Sequence, residues 1–86
     1  MAYQVEFRQE GLDDLRRLDR AVAQRILNKL KWLTQSFDHI IPQPLTGELQ
    51  GLFKLRVGDY RIIYSVNSEQ SLIVVHLVGH RREIYR

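Results

Sequence analysis

The side chains in this sequence that could do chemistry are basic ones concentrated in its second half. Lys54, Arg56 and Arg61 lie close together, and Arg81 follows near the C-terminus. Residues 1–48 carry seven Lys or Arg and seven Asp or Glu, whereas residues 49–86 carry six and three. Guanidinium groups bind phosphate oxygens through paired hydrogen bonds. The cluster therefore suits a polyanion such as nucleic acid, although so modest a surplus is also compatible with a solubilising surface.

Conventional catalytic and metal-binding arrangements find little support. The chain has no cysteine, which excludes disulfides and thiolate metal sites, and its three histidines are far apart. His76 lies inside an apolar run, which favours a hydrogen-bonded structural role, and His39 is expected to be exposed. We predict no metal and no cofactor, so catalysis would depend on the basic cluster.

A β-hairpin is the element that must position this cluster. Alternation of apolar residues over residues 52–57 and 60–66 predicts two strands joined by the turn Gly58-Asp59. Glycine in the first turn position suits a type II′ turn, and counting outward from the turn places Arg56 opposite Arg61, with Lys54 on the same face. The other face collects side chains that should pack on helices: Phe53, Leu55, Val57, Tyr60, Ile62 and Tyr64.

Two arginines directly across a sheet destabilise it by about 0.2–1 kcal/mol, so something should compensate. The side chains can splay into solvent or pair with an acid such as Glu48 or Glu83. Alternatively, the cluster binds an anion, for which phosphate is the natural candidate. Sheet geometry predicts the cluster but does not choose between these explanations.

The remaining elements complete one α+β domain. Residues 3–8 alternate as a first strand, and residues 72–78 form the most apolar strand, which should lie inside the sheet. Between them, apolar runs at helical spacing predict two helices joined at Asp19, a good N-cap for the second. Residues 36–46 contain two prolines and predict a loop. The expected fold class is α+β: an N-terminal strand, a helical hairpin and a three-stranded antiparallel meander, forming one sheet.

Length and composition set further bounds. A chain of 86 residues supports a single domain, spanning residues 1–86. The lack of cysteine favours a reducing cytoplasm, and we expect neither a signal peptide nor a membrane segment. The tail after Gly79 should leave no room for a further C-terminal helix.

Several segments resemble a known family. PLTGELQGLFKLRVGDYRIIYSV and LIVVHLVGHRREIY are similar to the second half of RelE-type toxins of the RelE/ParE superfamily, and YQVEF with the helical hairpin resembles their first half. This resemblance covers nearly the whole chain and implies the RelE-like microbial ribonuclease fold. It also implies that the protein is the toxin of a type II toxin–antitoxin system and cleaves messenger RNA in the ribosomal A site. The implied partners are the 70S ribosome and mRNA, a cognate RelB-like antitoxin, and operator DNA only through the antitoxin complex.

The resemblance also implies roles for individual residues. The catalytic set is Lys54, Arg56, Arg61, Arg81 and Tyr85, and the substrate-binding set is Lys54, Arg56, Arg61, Tyr85 and His80. We hypothesise that Arg56 and Arg61 hold the phosphate while Lys54 activates the 2′-hydroxyl. Neighbouring cations favour the neutral amine of a lysine, the form that can accept a proton.

The remaining roles are less specific. Arg81 would stabilise or protonate the leaving group, and Tyr85 would stack on a base. His80 is a candidate general acid or only a further polar contact. Because general bases are scarce, free RNA should be a poor substrate unless the ribosome aligns it.

Other residues and functions have competing interpretations. Tyr60 and Tyr64 should belong to the core, whereas Trp32 could be core or antitoxin surface. Basic helix residues such as Lys29 interleave with acids such as Asp14, as on a solvated face. The main alternative function is a ParE-like toxin that binds DNA gyrase and cuts nothing, since the fold and much of the strand signature are shared.

Overall fold

A computed structural model describes residues 3–84 of the chain. The elements in chain order are β1 Gln4–Phe7, α1 Gln9–Arg17, α2 Arg20–Ser36, β2 Gln43–Pro44, β3 Phe53–Val57, β4 Tyr60–Asn67, β5 Leu72–His80 and α3 Arg81–Ile84. Short 3₁₀ turns cover Phe37–His39 and Gly47–Leu49. No helix within residues 3–84 is long and apolar enough to cross a bilayer.

One mixed sheet has the strand order β1-β5-β4-β3-β2. β1 runs parallel to β5, and the other neighbours are antiparallel. The α+β class, the meander and the interior position of β5 are therefore as predicted. The helical hairpin carries the chain from β1 at one edge of the sheet to β2 at the other, and the antiparallel strands return it so that β5 lies parallel to β1.

The core lies between α2 and one face of the sheet. Ile26, Leu30 and Leu33 recur at helical spacing along α2 and are buried against strand residues: Ile62, Tyr64, Ile73, Val75 and Val78. α2 begins as predicted, because the Asp19 carboxylate accepts a hydrogen bond from the amide of Ala21 at 3.2 Å. This burial holds β3 and β4 in place beneath the helix.

α1 covers the part of the β5 edge that lies beyond β1. β1 pairs only with residues 72–75 of β5. Farther along, Oδ2 of Asp14 on α1 accepts a hydrogen bond from the amide of Val78 at 3.0 Å. Gly11 permits this approach, since a Cβ there would lie 2.7 Å from the Val75 carbonyl oxygen. Asp14 is thus not on a solvated helix face, and this part of the sequence interpretation was wrong.

Two segments differ from the sequence prediction. The expected loop at residues 36–46 contains β2, whose two residues pair with Lys54 and Phe53. β5 continues through Gly79 to His80, and the following residues form one helical turn, α3, where no C-terminal helix was expected. Both are short elements held by tertiary contacts, which local periodicity cannot reveal.

Candidate functional site

The β3–β4 hairpin has the predicted register. Val57 pairs with Tyr60, Arg56 with Arg61 and Leu55 with Ile62. Gly58 has a φ of +59°, which suits the first position of a type II′ turn. The six apolar side chains expected on the helix side pack against the core, and Lys54, Arg56 and Arg61 lie on the other face, here called the cationic face, together with the buried Ile63.

Arg61 is held by the turn of its own hairpin. Its Nη1 donates hydrogen bonds to the carbonyl oxygens of Gly58 and Tyr60, both at 2.9 Å. On the other side, Arg61 pairs across the ladder with Gly79 of β5, which has no side chain to crowd the guanidinium. The remaining guanidinium nitrogens are thereby presented at a fixed position, as binding a phosphate requires.

A cavity of about 360 Å³ brings the hairpin cations together with α2 and the loop before β2. Its lining residues are Lys29, Trp32, Ile40, Ile41, Pro42, Gln43, Lys54, Leu55, Arg56, Arg61 and Tyr64. We call it the cationic cavity, because four of these residues are Lys or Arg and none is Asp or Glu. Neither of the two acids that the sequence offered as partners, Glu48 and Glu83, lines it.

Tyr64 forms part of the apolar wall of the cationic cavity. Only 1% of it is exposed, and it packs in the core as predicted from the sequence. Burial raises the pKa of its phenol to about 12. Tyr64 therefore stays protonated at neutral pH and cannot serve as a general base.

Lys29 and Trp32 are residues of this cavity that the sequence interpretation did not place there. Lys29 is half-buried rather than on a solvated face, and its Nζ lies 3.9 Å from the centroid of the Trp32 ring. The signal that could have found the pair is their spacing of three on one helix, which puts them on the same side. Their place at the cavity depends on how α2 lies over the sheet.

Arg81 does not line the cationic cavity but contacts the same hairpin turn. Its backbone amide donates to the carbonyl oxygen of Asp59 at 2.8 Å, and its Nε is 4.0 Å from Asp59 Oδ1. Both side chains are more than half exposed, so this long ion pair contributes little stability. The turn thus holds Arg61 through Gly58 and Tyr60, and Arg81 through Asp59.

His80 lies on the other side of the sheet from the basic cluster. It pairs with Tyr60 across the ladder, and the two rings make an edge contact with centroids 5.4 Å apart. Its Nδ1 accepts a hydrogen bond from the Arg82 amide at 3.2 Å. The structure does not bring His80 together with Lys54, Arg56 and Arg61. The fifth predicted catalytic residue, Tyr85, lies outside the described residues.

A β-bulge explains where His80 points. Ile63 pairs with Leu77 and Tyr64 with Val75, so the register skips His76. This extra residue shifts the alternation of β5 by one, which turns His80 toward the helices and leaves Gly79 opposite Arg61.

The bulge residue itself has a structural contact. His76 Nε2 and Ser65 Oγ share a hydrogen bond at 2.8 Å, in line with the structural role expected of this histidine. Burial lowers the pKa of His76, Arg8 lowers it further, and Glu10 opposes the shift. His39 is exposed, as predicted.

Within residues 3–84, no three His, Cys, Asp or Glu side chains gather closely enough to hold an ion. The basic side chains that line the cationic cavity can bind an anion and stabilise negative charge that develops on it.

Comparison with known proteins places the chain among small toxins. Residues 5–85 match the family model for the ParE toxin of the type II toxin–antitoxin system parDE. A RelE-like toxin protein of Escherichia coli is 35% identical, covering 94% of this chain and 85% of that protein. The mRNA interferase toxin RelE of Escherichia coli strain K12 is 30% identical, covering 99% and 92%.

A solved structure supports the same relationship. The toxin–antitoxin complex RelBE2 of Mycobacterium tuberculosis contains a chain that superposes with a TM-score of 0.83 at 28% identity, covering 94% of this chain and all of that one.

Proposed function

Because this chain belongs to the RelE/ParE toxin superfamily, as a RelE-like toxin of a type II toxin–antitoxin system, we propose that it is a ribosome-dependent endoribonuclease that cleaves mRNA in the ribosomal A site. The observation that carries the proposal is the convergence of Lys54, Arg56 and Arg61 on a cavity lined by no acid. The relative named an mRNA interferase supports ribonuclease activity, since it matches nearly the whole of both chains.

Cleavage follows the internal route. The ribose 2′-oxygen attacks the adjacent phosphorus, the bond from phosphorus to the 5′-oxygen breaks, and the products are a 2′,3′-cyclic phosphate and a 5′-hydroxyl. The 2′-hydroxyl must lose its proton, the leaving 5′-oxygen must gain one, and negative charge grows on the phosphoryl oxygens between these events.

The hairpin cations stabilise that charge. Arg61 is fixed by the turn and presents its guanidinium to the phosphoryl oxygens, with Arg56 directly opposite. Lys54 lies farther along the same strand face and serves the 2′-hydroxyl side. Since cations fixed before the reaction need no reorganisation during it, electrostatic stabilisation is the largest contribution of this site.

Arg81 acts on the leaving-group side. Its attachment to Asp59 places it beside the turn that orients Arg61, and an exposed side chain can move toward the substrate. Tyr85 stacks on a base of the bound codon. Arg81 is a poor proton donor, so it stabilises the charge on the leaving 5′-oxygen, which takes its proton from solvent or, if the His80 ring leaves Tyr60, from His80.

The ribosome supplies alignment that this site lacks. In-line attack requires the 2′-oxygen, phosphorus and 5′-oxygen to lie nearly on one line, and correct alignment alone can account for a large part of the rate. The protein therefore works in the cytoplasm on mRNA held by the 70S ribosome. A RelB-like antitoxin silences it by covering the cationic face, and operator DNA is bound only through the antitoxin complex.

The test is translation of a defined message by purified ribosomes, with RNA ends mapped by primer extension. We expect new ends within codons that require both ribosomes and the toxin, and their loss with Arg81→Ala. Arg82→Ala, which changes the neighbouring exposed arginine, is the matched control and should cut normally. Intact message in the presence of folded protein would overturn the proposal, as would efficient cutting of naked RNA.

One finding favours a second candidate. The matching family model is described as a ParE toxin, so inhibition of DNA gyrase without cleavage stays an alternative. A parallel supercoiling assay separates the two functions. Inhibited gyrase together with intact message would replace the ribonuclease by the ParE-like function.

A further inference from the structure

Trp32 gives the cationic cavity a wall that the cleavage chemistry does not use. The indole is 40% exposed, and beside it Ile41 is 93% exposed. Both line the cavity with Lys54, Arg56 and Arg61. An exposed aromatic ring next to phosphate-binding cations is the arrangement by which proteins bind single-stranded nucleic acid, with bases stacked on the ring and phosphates held by the cations.

Lys29 adds a second feature to this wall. Its ammonium group lies 3.9 Å from the ring centroid, and the half-buried side chain is held at the cavity rather than extended into solvent. Because the ammonium group covers one face of the ring, a base would stack on the opposite face, while the positive charge is available to the phosphate attached to that base.

We propose that Trp32 and Lys29 form a nucleotide-binding subsite, in which the base of an RNA nucleotide next to the cleaved phosphate stacks on Trp32 while Lys29 contacts that nucleotide's phosphate. The identity of the ligand as RNA rests on the proposed function. The cavity volume of about 360 Å³ lies at the lower end of the range for small-ligand sites, which suits one nucleotide rather than a longer segment.

The charge of the cavity favours a polyanion such as RNA as its occupant. The described lining residues include Lys29, Arg56 and Arg61 beside Lys54 and no acid, which favours a phosphate group over a neutral ligand. Ile41 and Trp32 supply the apolar surface that a base needs but a bare phosphate does not. The site thus fits a ligand that is both aromatic and anionic.

The experiment uses Trp32 as its own reporter, since it is the sole tryptophan of the chain. A mixed-sequence hexanucleotide with 2′-O-methyl riboses cannot be cleaved by 2′-oxygen attack, and it is titrated into the full-length toxin without ribosomes. We expect saturable quenching of the Trp32 fluorescence. An abasic oligomer of the same length should bind more weakly and leave the fluorescence unchanged.

Variants give an independent readout by anisotropy of a labelled hexanucleotide. Trp32→Leu should weaken binding by about tenfold or more, the range expected for loss of one stacked base. Lys29→Met keeps the apolar stem of the side chain. The slope of log affinity against log salt concentration should fall by the amount expected for about one counterion fewer released on binding. Lys31→Met, at an exposed lysine that does not line the cavity, is the matched control and should bind like the wild type.

Three outcomes would contradict the proposed nucleotide-binding subsite. Saturating anisotropy without quenching would show that RNA binds elsewhere, and equal affinity of Trp32→Leu would show that the ring does not contribute. Quenching by the antitoxin but not by the hexanucleotide would assign the wall to a protein partner instead.

The design separates this inference from the proposed function. Arg81 does not line the cavity, so Arg81→Ala should lose cleavage on ribosomes yet keep the quenching. Quenching by a protein that never cleaves would support the subsite and remove the ribonuclease. Normal cleavage kinetics in Trp32→Leu, with no quenching in the wild type, would remove the subsite and keep the ribonuclease.

Discussion

The two faces of the β3–β4 hairpin have different tasks, although alternate residues of the same two strands supply them. On the helix side, Ile62 and Tyr64 are almost completely buried. On the cationic side, Arg56 and Arg61 are paired across the ladder at a cavity. One face therefore belongs to the main core, while the other carries like charges that oppose folding beside the buried Ile63. The two-residue turn keeps these tasks apart, because a slip by one position would exchange every side chain between them.

The strongest test of the helix side is Ile62→Ala. This side chain has no exposed surface, so its truncation should reduce the free energy of unfolding by about 2–5 kcal/mol. Urea denaturation measures the loss, and Ile62→Val should cost only about 0.5–1.5 kcal/mol. A large loss of cleavage with unchanged stability would contradict the division between the faces.

The matching test of the cationic side is Arg61→Ala. Removal of a fixed charge-stabilising donor should lower the cleavage rate on ribosomes by about 10²–10³-fold. Stability should change by no more than about 1 kcal/mol, since one exposed and one partly buried hydrogen bond are lost while a repulsion is relieved. The cleavage rate of Arg61→Lys should lie between those of the wild type and Arg61→Ala. Arg25→Ala, on the exposed side of α2, is the control and should behave like the wild type.

Asp14 belongs to neither face of the hairpin. Its substitution tests how much the contact at the edge of β5 contributes to stability. Asp14→Ala leaves the partly buried Val78 amide without its acceptor, so we expect a loss of about 1–3 kcal/mol in the free energy of unfolding. Asp13→Ala, at the next position of α1, loses only a contact with Gln9 and should have little effect. Equal losses in both variants would rule out the specific role of the Val78 contact.

Arg56→Gln should reveal the cost of the cationic face directly. It removes one of two like charges across the ladder and should raise the free energy of unfolding by about 0.2–1 kcal/mol while reducing cleavage. High salt should shrink the gain, because it screens the repulsion. The same charge change in Arg25→Gln is the control, and a gain as large there would reflect net charge alone.

His76 lies on the cationic side of the sheet but away from the hairpin turn. Its protonation should have the smallest of these effects on stability. Its pKa is lowered from 6.5 in the folded state, so the unfolded chain binds the proton first as pH falls. Stability should therefore decrease as pH drops below about 6.5, and the loss is complete below the folded-state pKa. Thermal melts of His76→Gln should show less pH dependence than the wild type, and an identical dependence would refute this assignment.

Local rules predicted the hairpin and its cluster, whereas long-range contacts hid other parts of the site. The turn at Gly58-Asp59 and period-two alternation were enough to place Arg56 opposite Arg61, and both are properties of adjacent residues. Asp19 was recognised as an N-cap for the same reason. The class of the fold followed from the order of these local elements.

The missed features depend on partners far away in the chain. The contact of Asp14 with Val78 spans 64 positions, and the bulge at His76 appears only when β5 pairs with β4. Without that bulge, simple alternation would have put His80 on the cationic side. The place of Lys29 at the cavity likewise depends on how α2 lies over the sheet, which the helical period does not determine.

Pro44 gives the short strand β2 a further consequence. It pairs with Phe53 at the outer edge of the sheet, and proline has no backbone N–H to offer to another strand. Sheet edges that are long and regular recruit other chains into aggregates, whereas a two-residue edge with a proline does not. β2 is therefore a poor template for a second copy of the sheet, at the edge where Pro42 and Gln43 line the cationic cavity.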